Sequence, residues 1–189
     1  MKPRHQEPNG PRGFGPRILL CFERSGQISQ CEFLQGWSLV QANRDFVHDH
    51  IGFGYAHANS TKTAFDAFRE GRGVCRDFTH LAVTLCRCMN IPARYCTGYL
   101  GDIGVPPDPA PMDFSAWFEA YIGDRWYTFD ARHNEPRIGR ILIARGRDAT
   151  DVAITTSYGP HLLTGFKVVT DEVTEAEAPQ SSDTAVVNS

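Results

Sequence analysis

Residues 71–92, which read GRGVCRDFTHLAVTLCRCMNIP, decide the fold that this sequence predicts. Two glycines lead the chain into a segment whose apolar residues recur at helical spacing. The stripe comprises Val74, Phe78, Leu81, Leu85 and Met89. Asn90 tolerates the left-handed backbone that ends many helices, and Pro92 cannot continue one. We therefore predict a helix that begins close to Cys75 and ends before Pro92.

Cys75 stands where a catalytic thiol is expected. In the first turn of a helix, unpaired backbone N–H groups and the positive end of the helix dipole favour the thiolate, which is the nucleophilic form. The alternative is a small buried residue at a helix start, because free cysteine is often buried. Asp77, in the same turn, either complements the dipole or tunes the site. Cys86 and Cys88 fall late in the helix, and we expect them to be buried or half-buried.

Length and composition indicate one domain with a sizeable core: the chain has 189 residues, of which 41% are hydrophobic and 11% aromatic. The net charge of -3 gives no reason to expect nucleic acid as a partner. No apolar run approaches the length of a membrane span, and six cysteines without a secretory signal favour a reducing compartment. We predict a cytoplasmic protein of bacterial type, with no membrane partner.

The remaining pattern predicts an α+β fold, with N-terminal helices packed on an antiparallel β-sheet. A helix follows from the apolar spacing between Trp37 and Ile51, and a shorter one from a cap at Thr63 and a stop at Gly71. The two-residue connection Gly123-Asp124 predicts a hairpin. The predicted strands span residues 93–100, 115–122, 125–130 and 165–170, and Asp148 is expected to cap a short helix through Val152.

Three segments are expected along the chain. Residues 1–16 are polar and rich in Pro, Gly and Arg, which predicts a flexible N-terminal segment. Residues 17–170 form the predicted domain, and its first six residues, RILLCF, could add a strand or a short buried segment. Residues 171–189 contain few apolar anchors and are expected to be a disordered tail.

Several ordered motifs together resemble the transglutaminase-like superfamily, specifically its bacterial members described as cysteine proteases. They are GVCRDF at 73–78, IPARY at 91–95, AWFEAY at 116–121 and WYTFD at 126–130, and the resemblance covers residues 37–170. It implies a papain-like α+β core with a Cys-His-Asp triad. Such enzymes hydrolyse or transfer amide acyl groups through a thioester. It also implies that Cys75 is the nucleophile and Asp130 the acid that orients the histidine.

The histidine of this family precedes the Ala-Trp pair, and Ser115 occupies that position here. A hydroxyl cannot take a proton from a thiol near neutral pH, so the usual Cys-His ion pair cannot form through residue 115. His133 is the substitute if the chain curls back after Asp130; a surface histidine in a turn is the other interpretation. His80 lies about 140° around the helix from Cys75 and is expected to pack against the fold.

Three functions remain compatible with these residues. The first is a thiol enzyme that attacks peptide or isopeptide amides through Cys75, with the backbone N–H of Cys75 as an oxyanion donor. The second is a catalytically silent domain of the same fold that binds peptides, which Ser115 supports. The third is a structural or metal-binding protein. We predict no cofactor and no metal, because Cys86 and Cys88 lack zinc-knuckle spacing and His48 and His50 fall on different helix faces.

Overall fold

Helices on one side and an antiparallel sheet on the other form the fold in a computed structural model, which describes residues 35–106, 114–153, 156–160, 162 and 164–173. The helices are α1 (Gly36–His50), α2 (Ala64–Glu70) and α3 (Cys75–Cys88). The strands are β1 (Gly52–Phe53), β2 (Arg72–Gly73), β3 (Ala93–Leu100), β4 (Phe114–Ile122), β5 (Arg125–Phe129) and β6 (Arg140–Gly146). Short 3-10 helices span Tyr55–His57 and Ala149–Val152.

The helix ends follow the capping residues of the sequence. Thr63 and Asp66 form a capping box at the start of α2, and Gly71 ends that helix with a φ of 62°. Asn90, just after α3, has a φ of 55°. Asp148 caps the last 3-10 helix by accepting a hydrogen bond from the backbone N–H of Ala149. The predicted helix boundaries are therefore confirmed to within a few residues.

The main sheet has the strand order β5-β4-β3-β6 and is antiparallel throughout, as predicted. Gly123 and Asp124 both have positive φ, 54° and 68°, as a two-residue turn between twisted strands requires. On the paired strands β3 and β4, Tyr95 lies opposite Phe118 and Thr97 opposite Ala116. The helices pack against the sheet through one core, which includes Val40, Val47, Phe78, Leu81, Ala82, Phe118 and Phe129.

One predicted strand is wrong, and one strand of the sheet was not predicted. Residues 165–170 are described but belong to no strand. Instead, β6 supplies the strand that pairs with β3, and its residues alternate between half-buried and exposed because it lies at the edge of the sheet. A register shift in this pairing falls between Thr97 and Gly98, where a Cβ on Gly98 would stand 2.0 Å from the carbonyl oxygen of Ile141. Glycine at position 98 therefore permits this edge strand.

The predicted segments at the chain ends are not tested. Residues 1–34, including the possible strand at 17–22, lie outside the described residues, as do residues 174–189. The division at residues 16 and 170 therefore stays a prediction. Among the helices that the structure describes, none combines the length and apolar character needed to cross a membrane.

Candidate active site

Cys75 is the first residue of α3, and Val74 is the cap residue before it. The cysteine is half-buried, and its Sγ lies 3.7 Å from the backbone oxygen of Phe114 on β4. The thiol therefore stands between the amino end of a helix and the strand that contains position 115. This address favours the thiolate because the unpaired backbone N–H groups of the first turn give the start of the helix a partial positive charge.

Asp77 holds the start of this helix in place. Its carboxylate is buried and accepts a 2.9 Å hydrogen bond from the backbone N–H of Val74. Arg76 donates a 3.2 Å hydrogen bond to the same carboxylate and further hydrogen bonds to the backbone oxygens of Asn59, Ser60 and Lys62. A Cβ on Gly73 would approach Asp77 Oδ2 to 2.4 Å. Gly73 and Asp77 together therefore set the geometry in which Cys75 opens the helix.

A cavity of about 200 Å³ opens at the thiol. Its wall includes Tyr95 and Thr97 from β3, Phe114 to Ala116 from β4, and residues of the 3-10 helix at Ala149–Val152. Burial, with a smaller contribution from the nearby Cys75 thiolate, holds the pKa of Tyr95 far above its usual range. The phenol therefore remains protonated at neutral pH.

Ser115 lies in the same wall. It is 4% exposed, and its Oγ has no hydrogen-bond partner among the described residues. Its backbone oxygen accepts a 3.2 Å hydrogen bond from Thr97. The residue before it contacts the thiol, so position 115 adjoins Cys75 along β4. No imidazole stands there, and the buried hydroxyl is too weak a base to replace one.

Asp130 and His133 form a pair at the turn that directly follows β5. The backbone N–H of Asn134 donates to the carbonyl of Asp130 at 3.1 Å, so the chain curls back. His133 Nδ1 lies 2.9 Å from Asp130 Oδ2, and Arg140 donates to the same oxygen at 2.7 Å. The backbone N–H groups of Arg132 and His133 donate to Oδ1 at 2.8 and 3.1 Å.

The electrostatics of this pair give the histidine a defined tautomer. Burial by itself would raise the pKa of Asp130, but the hydrogen bond from His133 and the positive charge of Arg140 outweigh burial and hold that pKa well below its usual range. An ionised carboxylate can only accept hydrogen bonds, so His133 Nδ1 donates to it. In the neutral ring Nε2 is then the basic nitrogen, as in an Asp-oriented catalytic histidine.

The predicted site residues thus fall into two pairs, one beside β4 and one after β5, the strand that pairs with β4. One pair is Cys75 and Ser115, and the other is Asp130 and His133. Trp117, two residues after Ser115, lies under the guanidinium of Arg140 at 5.1 Å, and Arg140 binds Asp130. Asp130 also lines a second cavity, with residues of α1, the end of β5 and the segment before β6. That His133 Nε2 reaches Cys75 stays a prediction.

Two residues of the site were missed by sequence reasoning. Arg140 begins a strand that the sequence did not reveal, so its pairing with Asp130 could not be anticipated. Tyr95 lies in a correctly predicted strand, and the alternation of that strand was the signal that could have placed it on the thiol's side.

His80, expected to pack against the fold, places Nε2 3.0 Å from Asp148, which caps the 3-10 helix in the cavity wall.

The other described thiols differ from Cys75. Cys86 and Cys96 are buried, and burial raises the pKa of each to about 12. Cys88 is exposed, so the prediction that it is buried or half-buried is wrong. The last turn of α3 turns this side chain to solvent, whereas Cys86 lies on the core face and accepts a 2.9 Å hydrogen bond from Asn43.

The histidines around the end of α1 bind backbone groups. His48 Nδ1 lies 3.1 and 3.0 Å from the backbone oxygens of Ala131 and Arg132, and His50 Nε2 lies 2.6 Å from that of Phe68. Within the described part of the chain, no three His, Cys, Asp or Glu side chains come together in a way that could hold a metal ion.

A thiol at the start of a helix, packed on an antiparallel sheet whose strands supply the remaining site residues, defines a papain-like thiol fold. The family model of the transglutaminase-like superfamily matches residues 34–131, and the chain belongs to this superfamily. The predicted α+β transglutaminase core is thereby confirmed. At the level of the family, this membership supports a thiol enzyme.

Individual proteins are similar to this chain over part of its length. A crystal structure of a candidate cysteine protease from Cytophaga hutchinsonii is 44% identical, with a TM-score of 0.58, and the match covers 64% of this chain and 40% of that one. A protein of Mycobacterium leprae (strain TN), described as uncharacterised, is 37% identical over 94 residues, or 48% of this chain and 33% of its own length. A crystal structure of a TGase is 18% identical, with a TM-score of 0.40, covering 52% of this chain and 27% of that one. The chain spans about a third of the curated relative that it matches.

Proposed function

We propose that this chain is a thiol enzyme that hydrolyses or transfers acyl groups of peptide or isopeptide amides through a thioester on Cys75. The observation that carries the proposal is the half-buried Cys75 thiol at the first residue of α3, open to a cavity next to position 115. A thiol in this position combines a favoured thiolate with room for a substrate carbonyl.

The chemistry divides into two acyl transfers. The Cys75 thiolate attacks the amide carbonyl carbon, and the backbone N–H of Cys75 donates a hydrogen bond to the developing oxyanion. The C–N bond then breaks, and the leaving amine takes a proton from the imidazolium of the base. Water or a second amine next gives a proton to the base and attacks the thioester, and the C–S bond breaks to release Cys75 as the thiolate. In this proposal His133 supplies the base through Nε2, and Asp130 orients it.

A silent peptide-binding domain is the second candidate function. Ser115 favours it, because the expected histidine is absent and the buried Oγ takes no part in a hydrogen bond with the described residues. In this case the cavity at Cys75 binds a peptide without acyl transfer.

The variant Ser115→His separates the two candidates, with Ser115→Ala as the matched control. Thiol-dependent amidase or esterase activity is measured in the wild type, in both variants and in Cys75→Ala. We expect wild-type activity that Cys75→Ala abolishes and that Ser115→His leaves unchanged or lowers, because His133 already acts. Activity that appears or rises about 10²- to 10⁴-fold only in Ser115→His would identify a silent site that lacks a base. Inactive proteins with an unreactive Cys75 and an intact fold would contradict the thiol-enzyme proposal.

We further propose a peptide or protein as the substrate, no nucleic-acid or membrane partner, and a cytoplasmic location. Cys86, Cys88 and Cys96 are free thiols, and free cysteines persist most readily in a reducing compartment. Fractionation of the native host, followed by detection of the chain, tests the location.

A further inference from the structure

The cavity that opens at Cys75 has a wall made mostly of apolar side chains. Tyr95, Ala116 and Val152 are buried and pack together in one cluster, and Cys75 and Ala149 pack against them. Ala149 is half-buried and carries only a methyl group, so it leaves space beside the thiol. The thiol therefore borders an apolar cavity whose room depends on a small side chain in its wall.

The polar groups of this wall are already engaged or buried. Arg76 is the single charged residue among the described residues that line the cavity, and its guanidinium donates to three backbone oxygens and to the Asp77 carboxylate. Thr97 Oγ1 donates to the backbone oxygen of Ser115, and Ser115 Oγ is itself buried. A charged or strongly polar occupant would lose its hydration here without gaining matching partners. The wall therefore favours an uncharged, apolar occupant.

The volume of the cavity, about 200 Å³, limits the size of that occupant. An apolar cavity of about 150 Å³ holds a molecule of the size of benzene. The cavity at Cys75 thus has room for an aliphatic side chain but not for a long one that must extend further.

The position of the cavity identifies which part of a substrate enters it. When Sγ bonds to a carbonyl carbon, the side chain of the residue that owns this carbonyl begins two covalent bonds from the attacked atom. Because the cavity opens at Cys75 itself, this side chain is the part of the acyl group that lies nearest to it.

We propose that the cavity binds the side chain of the residue that supplies the acyl group, and that this side chain is small and aliphatic, such as that of alanine or valine. The inference rests on the proposed function, since it takes Cys75 as the nucleophile. It narrows the substrate to peptide amides whose carbonyl belongs to a small apolar residue.

The test compares three reagents on the full-length protein: the N-acetyl chloromethyl ketones of glycine, valine and threonine. The ketone takes the place of the acyl carbonyl, and the Cys75 thiolate displaces chloride to form a C–S bond at the neighbouring methylene carbon. Valine and threonine side chains have the same shape, but one methyl group of valine is a hydroxyl in threonine. Peptide mapping by mass spectrometry measures the second-order rate of Cys75 modification, and each rate is divided by that of the same reagent with glutathione.

Two variants narrow the cavity, Ala149→Leu and the smaller change Ala149→Val, and circular dichroism checks that each is folded. Ala56→Leu is the matched control, because Ala56 is an exposed alanine in the other 3-10 helix, Tyr55–His57, and is not part of the cavity wall.

We expect the valine reagent to modify the wild type about 10-fold faster than the glycine reagent, because its methyl groups are buried in the cavity. It should also exceed the threonine reagent, whose hydroxyl would be buried without a partner. The ratio of the valine to the glycine rate should fall towards one in the Ala149 variants and persist in Ala56→Leu.

Equal rates for valine and glycine overturn the inference, as does a threonine rate that matches the valine rate, or a valine preference that persists in both Ala149 variants. In each of these cases Cys75 still reacts, so the proposed function stands. A Cys75 that none of the reagents modifies contradicts the proposed function, and the inference falls with it.

Discussion

At the scale of single residues, the position of Cys75 separates it from the other thiols. Cys86 and Cys96 are buried, with pKa values raised to about 12, and they cannot form thiolates near neutral pH. Cys88 is exposed but lies in the last turn of α3, where the helix dipole disfavours a negative charge. Thiolate character and exposure therefore coincide at Cys75 alone among the described cysteines.

We predict that limiting iodoacetamide at pH 6.5 modifies Cys75 first. The protein for this experiment contains serine at positions 21, 31 and 88, which removes one exposed thiol and two outside the described residues. Peptide mapping by mass spectrometry measures the modified fraction of each remaining cysteine. Faster modification of Cys86 or Cys96 would show that the helix start does not activate the thiol.

The second residue-scale prediction concerns His133. If its imidazolium pairs with the thiolate, His133→Ala removes a positive charge from the site, raises the apparent pKa of Cys75 and slows alkylation between pH 6 and 7. A one-unit rise in that pKa slows the reaction about ten-fold where the thiol is mostly protonated. The rate of alkylation is measured against pH. His50→Ala is the control: His50 stacks between Phe46 and Phe68, so its loss should leave the alkylation–pH profile unchanged. If His133→Ala also keeps the wild-type profile, His133 is excluded as the partner of the thiolate.

At the scale of elements, the start of α3 depends on one glycine. A methyl group at position 73 would collide with the Asp77 carboxylate, which accepts the backbone hydrogen bond of Val74. We predict that Gly73→Ala lowers the free energy of unfolding by about 1–2 kcal/mol, the usual cost of losing a helix cap, and lowers Cys75 reactivity with it. Urea unfolding followed by circular dichroism measures the first effect.

Gly165→Ala is the matched control for this substitution, because a Cβ on Gly165 meets no atom within 4 Å. It should leave both the urea midpoint and the alkylation rate near the wild-type values. If Gly73→Ala unfolds no more easily than Gly165→Ala, the Asp77 carboxylate does not hold the helix start as the geometry indicates.

At the scale of the whole molecule, Asp130 ties the end of β5 to β6 through Arg140, and its ionisation is linked to stability. Its pKa in the folded state is below the usual value of 3.8, so the unfolded chain binds protons more readily. The resulting stability is present above about pH 4 and is lost as the pH falls from there through the folded pKa.

We therefore predict that Asp130→Asn is less stable than the wild type at pH 7 and that this difference shrinks below pH 4. Urea midpoints between pH 7 and pH 2.5 measure it. Asp45→Asn is the control, because Asp45 is half-exposed and pairs with Arg44 at the surface, where an ion pair contributes little. A constant difference for Asp130→Asn across this range would contradict the linkage.

The sequence by itself determined the elements that depend on local signals. The apolar spacing and the caps at Thr63, Gly71 and Asn90 placed the helices, and Gly123-Asp124 placed the hairpin, because these conformations are set by neighbouring residues. The position of Cys75 at a helix start followed from the same signals.

Only the tertiary structure decided which distant residues meet. Strand β6 depends on pairing with β3, and the segment at 165–170, equally apolar, finds no such partner in the described chain. The hydrogen bond between Asp130 and Arg140 follows from that pairing, and so does the second cavity. Long-range contacts of this kind are set by packing of the whole chain, which local propensity does not encode.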